Sequence, residues 1–150
     1  MRVYFDSSIL LSILFEENGK DKAEKMWGAA SQKVSSLLLD AELRTVLRRS
    51  LLKYESRSKS WDAETALMIK ESKADGFTRK MQMIPFTADI MEILRDERRL
   101  GACRSLDAIH LATALYIRQE TGEPLTICSY DTRMRETAQD LGFSVLPTVA

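Results

Sequence analysis

One histidine and two cysteines are the only imidazole and thiolate ligands in 150 residues, too few and too scattered for a structural zinc site. Cys103 and Cys128 cannot build a disulfide framework either, and a chain that does without one suits a reducing, cytoplasmic compartment. Three prolines and six glycines exclude collagen-like and low-complexity chains. No run reaches 18 apolar residues, so no membrane-spanning helix is expected. Met1-Arg2 leads into a short apolar run that ends at Asp6, which is not the pattern of a signal peptide. Neither sign of charge dominates, with 22 basic residues against 22 acidic ones. The chain as a whole therefore offers nucleic acid no attraction, and any such binding must come from local patches. Zero net charge also weakens repulsion between copies, which points to a partner or to self-association.

What is present is an ordinary globular composition, 45% hydrophobic and 29% charged. A chain this long buries roughly 70% of its unfolded surface, so residues 1–150 read as one domain. Short apolar runs alternate with helical patterns, which reads as α/β. The strand candidates are Val3-Tyr4-Phe5, Lys33–Ser36, Met83–Phe86, Leu125–Cys128 and Ser144–Leu146. Ala23, Met26, Trp27 and Ala30 recur at i, i+3, i+4 and i+7, one face of a helix. Leu43, Val46, Leu47, Leu51 and Tyr54 do the same, and helices are expected over 62–74, 88–99, 106–120 and 132–141. The polar stretch Glu55–Ser60 reads as a loop, and Asp75-Gly76 as a turn. Connections long enough to hold helices predict parallel strand pairing.

In a parallel sheet, ligands bind outside the carboxyl ends of the strands. Asp6 directly follows the first strand, Asp131 follows the fourth, Glu42 opens the helix after the second, and Asp107 lies in the first turn of helix 106–120. Each has a plain reading, with Asp6 and Asp131 as helix caps and Asp107 as a residue favoured by the helix dipole. Glu42 resists that reading, because its surroundings are apolar. Asp40 lies about 200° away on the same helix and is the weaker candidate. Four clustered carboxylates raise one another's pKa unless a cation joins them. Hard ions such as Mg²⁺ or Mn²⁺ want oxygen ligands of this kind. Metal-assisted phosphodiester hydrolysis is the chemistry that such a cluster suits.

Four segments carry a family resemblance. They are Val3-Tyr4-Phe5-Asp6-Ser7-Ser8, Ser35–Arg44, Ser105–Ala114 (Ser-Leu-Asp-Ala-Ile-His-Leu-Ala-Thr-Ala) and Ser129-Tyr130-Asp131-Thr132-Arg133-Met134. In this order they resemble a PIN-domain ribonuclease, specifically the VapC-type toxin of a VapBC toxin–antitoxin pair. The resemblance implies an α/β/α sandwich on a mainly parallel sheet of four to five strands. It implies a Mg²⁺- or Mn²⁺-dependent endoribonuclease with Asp6, Glu42, Asp107 and Asp131 as metal ligands. Ser7 or Ser8 and Ser129 match the family's hydroxyl residues, and Arg133 its phosphate-contacting base. An RNA substrate, a small antitoxin and a homodimer follow as expected partners. Catalysis by an Asp6 nucleophile, as in haloacid-dehalogenase-like enzymes, is disfavoured because Ser8 stands where a second aspartate is needed. An inactive PIN scaffold that binds RNA or protein is the alternative.

Other residues have two readings. His110 could approach a metal or RNA, but the simpler expectation is a helix residue hydrogen-bonded locally. The cysteines and the seven methionines read as core. The basic run Arg44–Arg57 is either a solvated face or an RNA track, and Arg95, Arg98, Arg99 and Arg104 form a second basic group. Leu10, Leu11, Leu14, Phe15, Ala23, Met26 and Trp27 exceed what two covering helices need. The residues alone read equally as core or as a partly exposed apolar surface, and the resemblance favours the surface, as a dock for the antitoxin.

Overall fold

The computed structural model describes residues 1–55 and 60–148. Its centre is a sheet of β1 (Arg2–Phe5), β2 (Gln32–Ser36), β3 (Gln82–Ile84), β4 (Thr126–Cys128) and β5 (Ser144–Leu146). The order is β3-β2-β1-β4-β5 and every pairing is parallel. The helices are α1 (Ser7–Leu14), α2 (Lys20–Ala29), α3 (Leu38–Glu55), α4 (Ser60–Arg79), α5 (Ala88–Asp96), α6 (Ser105–Thr121) and α7 (Thr132–Asp140), with a 3₁₀ turn at Arg98–Ala102.

A strand turns successive side chains to opposite faces, and this sorts the core into two layers. Val3, Phe5 and Cys128 pack with residues of α1–α4. Tyr4, Val34, Ile127 and Val145 pack with residues of α5–α7. Covering both faces is what an all-parallel sheet requires, so the expected sandwich is what forms. No helix among the described residues is long and apolar enough to cross a membrane.

All five strands form where expected, with starts displaced by at most one residue and one larger shift at an end. β3 ends at Ile84 rather than Phe86, because Pro85 lacks the N–H that would continue the ladder. The turn expected at Asp75-Gly76 lies inside α4. Packing of α4 against α3 outweighs the roughly 1 kcal/mol propensity cost of Gly76. The core of the expected loop Glu55–Ser60, residues 56–59, lies outside the described residues, as does Arg57 of the basic run.

Much of the apolar surface expected on α1 and α2 is instead interior, with Leu11, Phe15 and Trp27 half-buried. Leu10 and Ala23 are fully buried, Leu14 and Met26 nearly so. Trp27 packs between Phe5 of β1, tilted to it, and Phe77 of α4, edge-on, each with ring centroids 5.0 Å away. The covering element is α4, whose packing a reading of α1 and α2 alone does not anticipate. Exposed apolar side chains sit elsewhere, notably Leu52, Met68 and Ile69 on α3 and α4. Met68, like Met1, thereby departs from the expectation that every methionine is core.

Candidate active site

With β1 in the middle, the chain leaves it toward β2 and β3 on one side and returns to β4 and β5 on the other. Such a reversal opens a crevice at the carboxyl ends of the two central strands. Asp6 caps β1 at that point, its backbone N–H held by Cys128 O at 3.0 Å. Its carboxylate is buried and collects hydroxyl and amide protons. Oδ1 accepts from the Ser7 N–H at 2.7 Å, and Oδ2 accepts from Ser8 Oγ and Ser129 Oγ, each at 2.8 Å. Ser8 Oγ also accepts from Tyr130 N–H at 2.9 Å, and Ser129 Oγ from Asp131 N–H at 3.0 Å. Both hydroxyls are thus spent in directions that lock the β4–α7 turn onto Asp6.

Glu42 arrives from the other side of the crevice. Ser36 Oγ accepts from Leu38 N–H at 3.1 Å and so starts α3, which carries Glu42 in its second turn. Glu42 Oε2 accepts from Ser7 Oγ at 3.2 Å, and Oε1 meets His110 Nε2. The other ring nitrogen of His110, Nδ1, lies 2.6 Å from the Tyr4 hydroxyl. Burial disfavours the charged imidazole, but the Glu42 hydrogen bond and the charges of Glu42, Asp6 and Asp107 raise the His110 pKa on balance. The expectation of local hydrogen bonding for His110 is therefore wrong. Its partners come from β1 and α3, which strand order alone brings to α6.

Asp107 and Asp131 form the outer part of the crevice. Asp131 is exposed and caps α7, accepting from Met134 N–H at 2.8 Å, so the plain reading of this residue also holds. Asp107 is half-buried, and its pKa is raised to about 6 by burial, then by the charges of Asp6 and Asp131. Both line a cleft with Arg104, Tyr130 and Arg133. Tyr130 in turn reaches across to Gly19 O at 2.6 Å, and a Cβ on Gly19 would meet its ring at 2.9 Å.

The sequence-predicted acids thus share one edge of the sheet, but unevenly. Asp6 and Glu42 place ligand atoms within 4.8 Å of each other and of His110, and Asp107 and Asp131 are not in that set. Asp40 is engaged elsewhere, by Arg44 at 3.3 Å. Among the described residues, Arg104 and Arg133 are the basic ones that line the acidic cleft. Arg44 pairs with Asp40, Glu71 and Asp75, and Arg48 with Glu71, so these two fasten α3 to α4, while Arg48, Arg49 and Lys53 stay exposed as the solvated-face reading expects. Arg95 and Arg99 pair with Glu92 and Glu97. Reasoning from sequence missed Tyr4, whose i, i+2 spacing to Asp6 was the available signal.

The donor set fits a hard divalent cation. Asp6 and Glu42 offer carboxylate oxygens at close quarters, and Asp107, its pKa raised by burial and then by the charges of Asp6 and Asp131, lies beside them. Cys128, the nearest soft ligand, is buried and pushed up to about 12, so it behaves as a core residue.

A parallel sheet flanked by helices, with acids gathered at its central crevice, defines a class of proteins. The chain belongs to the PIN-domain family, whose profile matches residues 3–140. It is similar to ribonuclease VapC49 of Mycobacterium tuberculosis, with 28% identity over 97% of this chain and 94% of the relative. It is also 29% identical to ribonuclease VapC46 of that organism, over 96% of this chain and 95% of the relative. The structure of VapBC2 from Rickettsia felis, bound to a DNA fragment from their promoter, shares the fold. The match has a TM-score of 0.60 and 13% identity over 97% of each chain.

Proposed function

We propose that this chain is a metal-dependent endoribonuclease and the toxin of a toxin–antitoxin pair. The observation that carries this is the meeting of Asp6 and Glu42 at the switch point of the sheet, beside Asp107. The similarity to ribonucleases VapC49 and VapC46 over nearly their whole length supports the substrate class. An inactive scaffold would have no need to keep all four acids at one edge.

Asp6 and Glu42 would hold Mg²⁺ or Mn²⁺, with Asp107 and Asp131 beside them, and the ion would polarise the phosphodiester and the attacking water. The protein's own residues do the rest. Ser8 and Ser129 hold the Asp6 carboxylate against rotation. Arg104 and Arg133 offer cations to phosphates on either side of the scissile one. Burial of Asp6 keeps water from competing for its oxygens. In the same reading the chain is a homodimer in a reducing cytoplasm, which its two free cysteines suit. Its antitoxin is a small protein with a flexible basic segment that pairs with the acids of the cleft.

Cleavage of RNA by the purified chain should require Mg²⁺ or Mn²⁺, stop in EDTA and leave 5′-phosphate ends. A 2′,3′-cyclic phosphate product, or full activity in EDTA, means that the ribose 2′-hydroxyl attacks and the metal reading is wrong. Co-purification with a small basic protein, whose removal restores cleavage, checks the antitoxin.

A further inference from the structure

The hydrogen bonds around Glu42 continue inward to a tyrosine, and their directions can be worked out from chemistry. The Tyr4 oxygen accepts the backbone N–H of Ser36 at 3.1 Å. Tyr4 is fully buried, and a phenol is neutral at ordinary pH, so it keeps its proton. That proton needs an acceptor, and His110 Nδ1 stands at 2.6 Å. Among the described residues the only buried side-chain nitrogen or oxygen without a partner is Arg2 Nη1, so the phenol and the imidazole are both satisfied. With Nδ1 accepting, a neutral imidazole carries its proton on Nε2, which faces Glu42 Oε1. A charged imidazole carries protons on both nitrogens, and Nε2–H still faces Glu42. Two bare lone pairs in contact would repel, so the direction is the same in either charge state.

We infer that Tyr4 and His110 are positioning residues that aim the Glu42 carboxylate into the crevice, and that His110 is not itself a metal ligand. The inference rests on Glu42 being a ligand, as proposed above. A nitrogen whose proton is given to a carboxylate has no lone pair for an ion, although a ring nitrogen of His110 lies within 4.8 Å of carboxylate oxygens of Asp6 and Glu42. Glu42 has a long side chain that would sample many rotamers if untethered. Ser7 Oγ on Oε2 and His110 on Oε1 hold both oxygens in one orientation before any ion arrives. Tyr4 lies on β1 and Asp6 directly follows its end, so one segment sets both the buried anchor and the first acid.

Because His110 is the only histidine, a ¹⁵N-histidine label yields one pair of ring nitrogens and an unambiguous spectrum. The full chain should show a proton on Nε2, and that proton should persist when Mg²⁺ is added. A bare Nε2 with a protonated Nδ1, or loss of the Nε2 proton on adding Mg²⁺, overturns the inference. Tyr4→Phe deletes one hydroxyl and should lower Mg²⁺ affinity by about tenfold in calorimetry, reducing kcat with KM for RNA unchanged. His110→Gln, whose amide can still donate to Glu42, should keep more Mg²⁺ affinity than His110→Leu. Unchanged affinity in both Tyr4→Phe and His110→Leu overturns the inference. A wild-type chain that binds no Mg²⁺ at all removes the metal reading of Glu42 and this inference with it, whatever the tautomer.

Discussion

The inner and outer halves of the acidic crevice are built on opposite principles. In the inner half, Asp6 and Glu42 have their oxygens held by Ser7, Ser8, Ser129 and His110. In the outer half, Asp107 is only half-buried and its pKa is raised to about 6 by burial and by neighbouring acids. A buried carboxylate costs several kcal/mol unless protein donors compensate it, so the inner half has to be satisfied within the fold. The outer half borders solvent and can leave its compensation to something that binds. One half is rigid and ready, and the other stores the repulsion that a cation would relieve.

Substitution should separate the halves most sharply. Asp6→Asn should cut RNA cleavage by about a thousandfold, on the order of 4 kcal/mol of transition-state stabilisation. It should also destabilise the metal-free chain by about 1–2 kcal/mol, because an amide nitrogen then faces hydroxyl donors. Asp107→Asn should lose cleavage to a similar degree but stabilise the metal-free chain at pH 7 by about 1 kcal/mol, a figure discounted for its exposure. Urea unfolding in EDTA measures both, and stability changes of the same sign would erase the distinction.

The pH dependence of stability tests the outer half alone. Asp107 has a folded pKa of about 6 against an ordinary value of 3.8, so between these values the folded state binds more protons than the unfolded one. Stability of the metal-free chain must then fall as pH rises through this window and level off above it. Asp107→Asn should remove that part of the decline. A slope identical in the mutant would mean that another group carries it.

The smallest effects concern the two sets of arginines. Arg104→Ala and Arg133→Ala should each weaken RNA binding several-fold and lower the salt slope by about one. Arg44→Ala should leave RNA affinity unchanged and cost about 1 kcal/mol of stability by releasing α4 from α3. Equal losses of RNA affinity from Arg44→Ala and Arg104→Ala would show that the α3 run does face the substrate.

Much of this was legible from local pattern. Short apolar runs at the right spacing marked the five strands, because a buried strand must be apolar whatever it pairs with. Asp6 and Asp131 stood out because each closes an apolar strand and opens a helix, a junction where a carboxylate is favoured for its own local reasons. The same locality explains the errors. Gly76 reads as a turn until α3 is there to support α4, and Trp27 reads as an interface anchor until Phe77 covers it.

By itself, then, the sequence determined the alternation of elements, the parallel sheet and the acids that end its strands. Each of these follows from the chain's immediate neighbours, through periodicity, capping and the chirality of crossovers. Only the tertiary structure decided which acids share an inner site, which arginines are neutralised, and what His110 touches. Tyr4 and His110 are 106 residues apart, and Glu42 and His110 are 68 apart. Contacts across such distances depend on strand order and helix packing, which are properties of the whole chain and leave no periodic trace in any one segment.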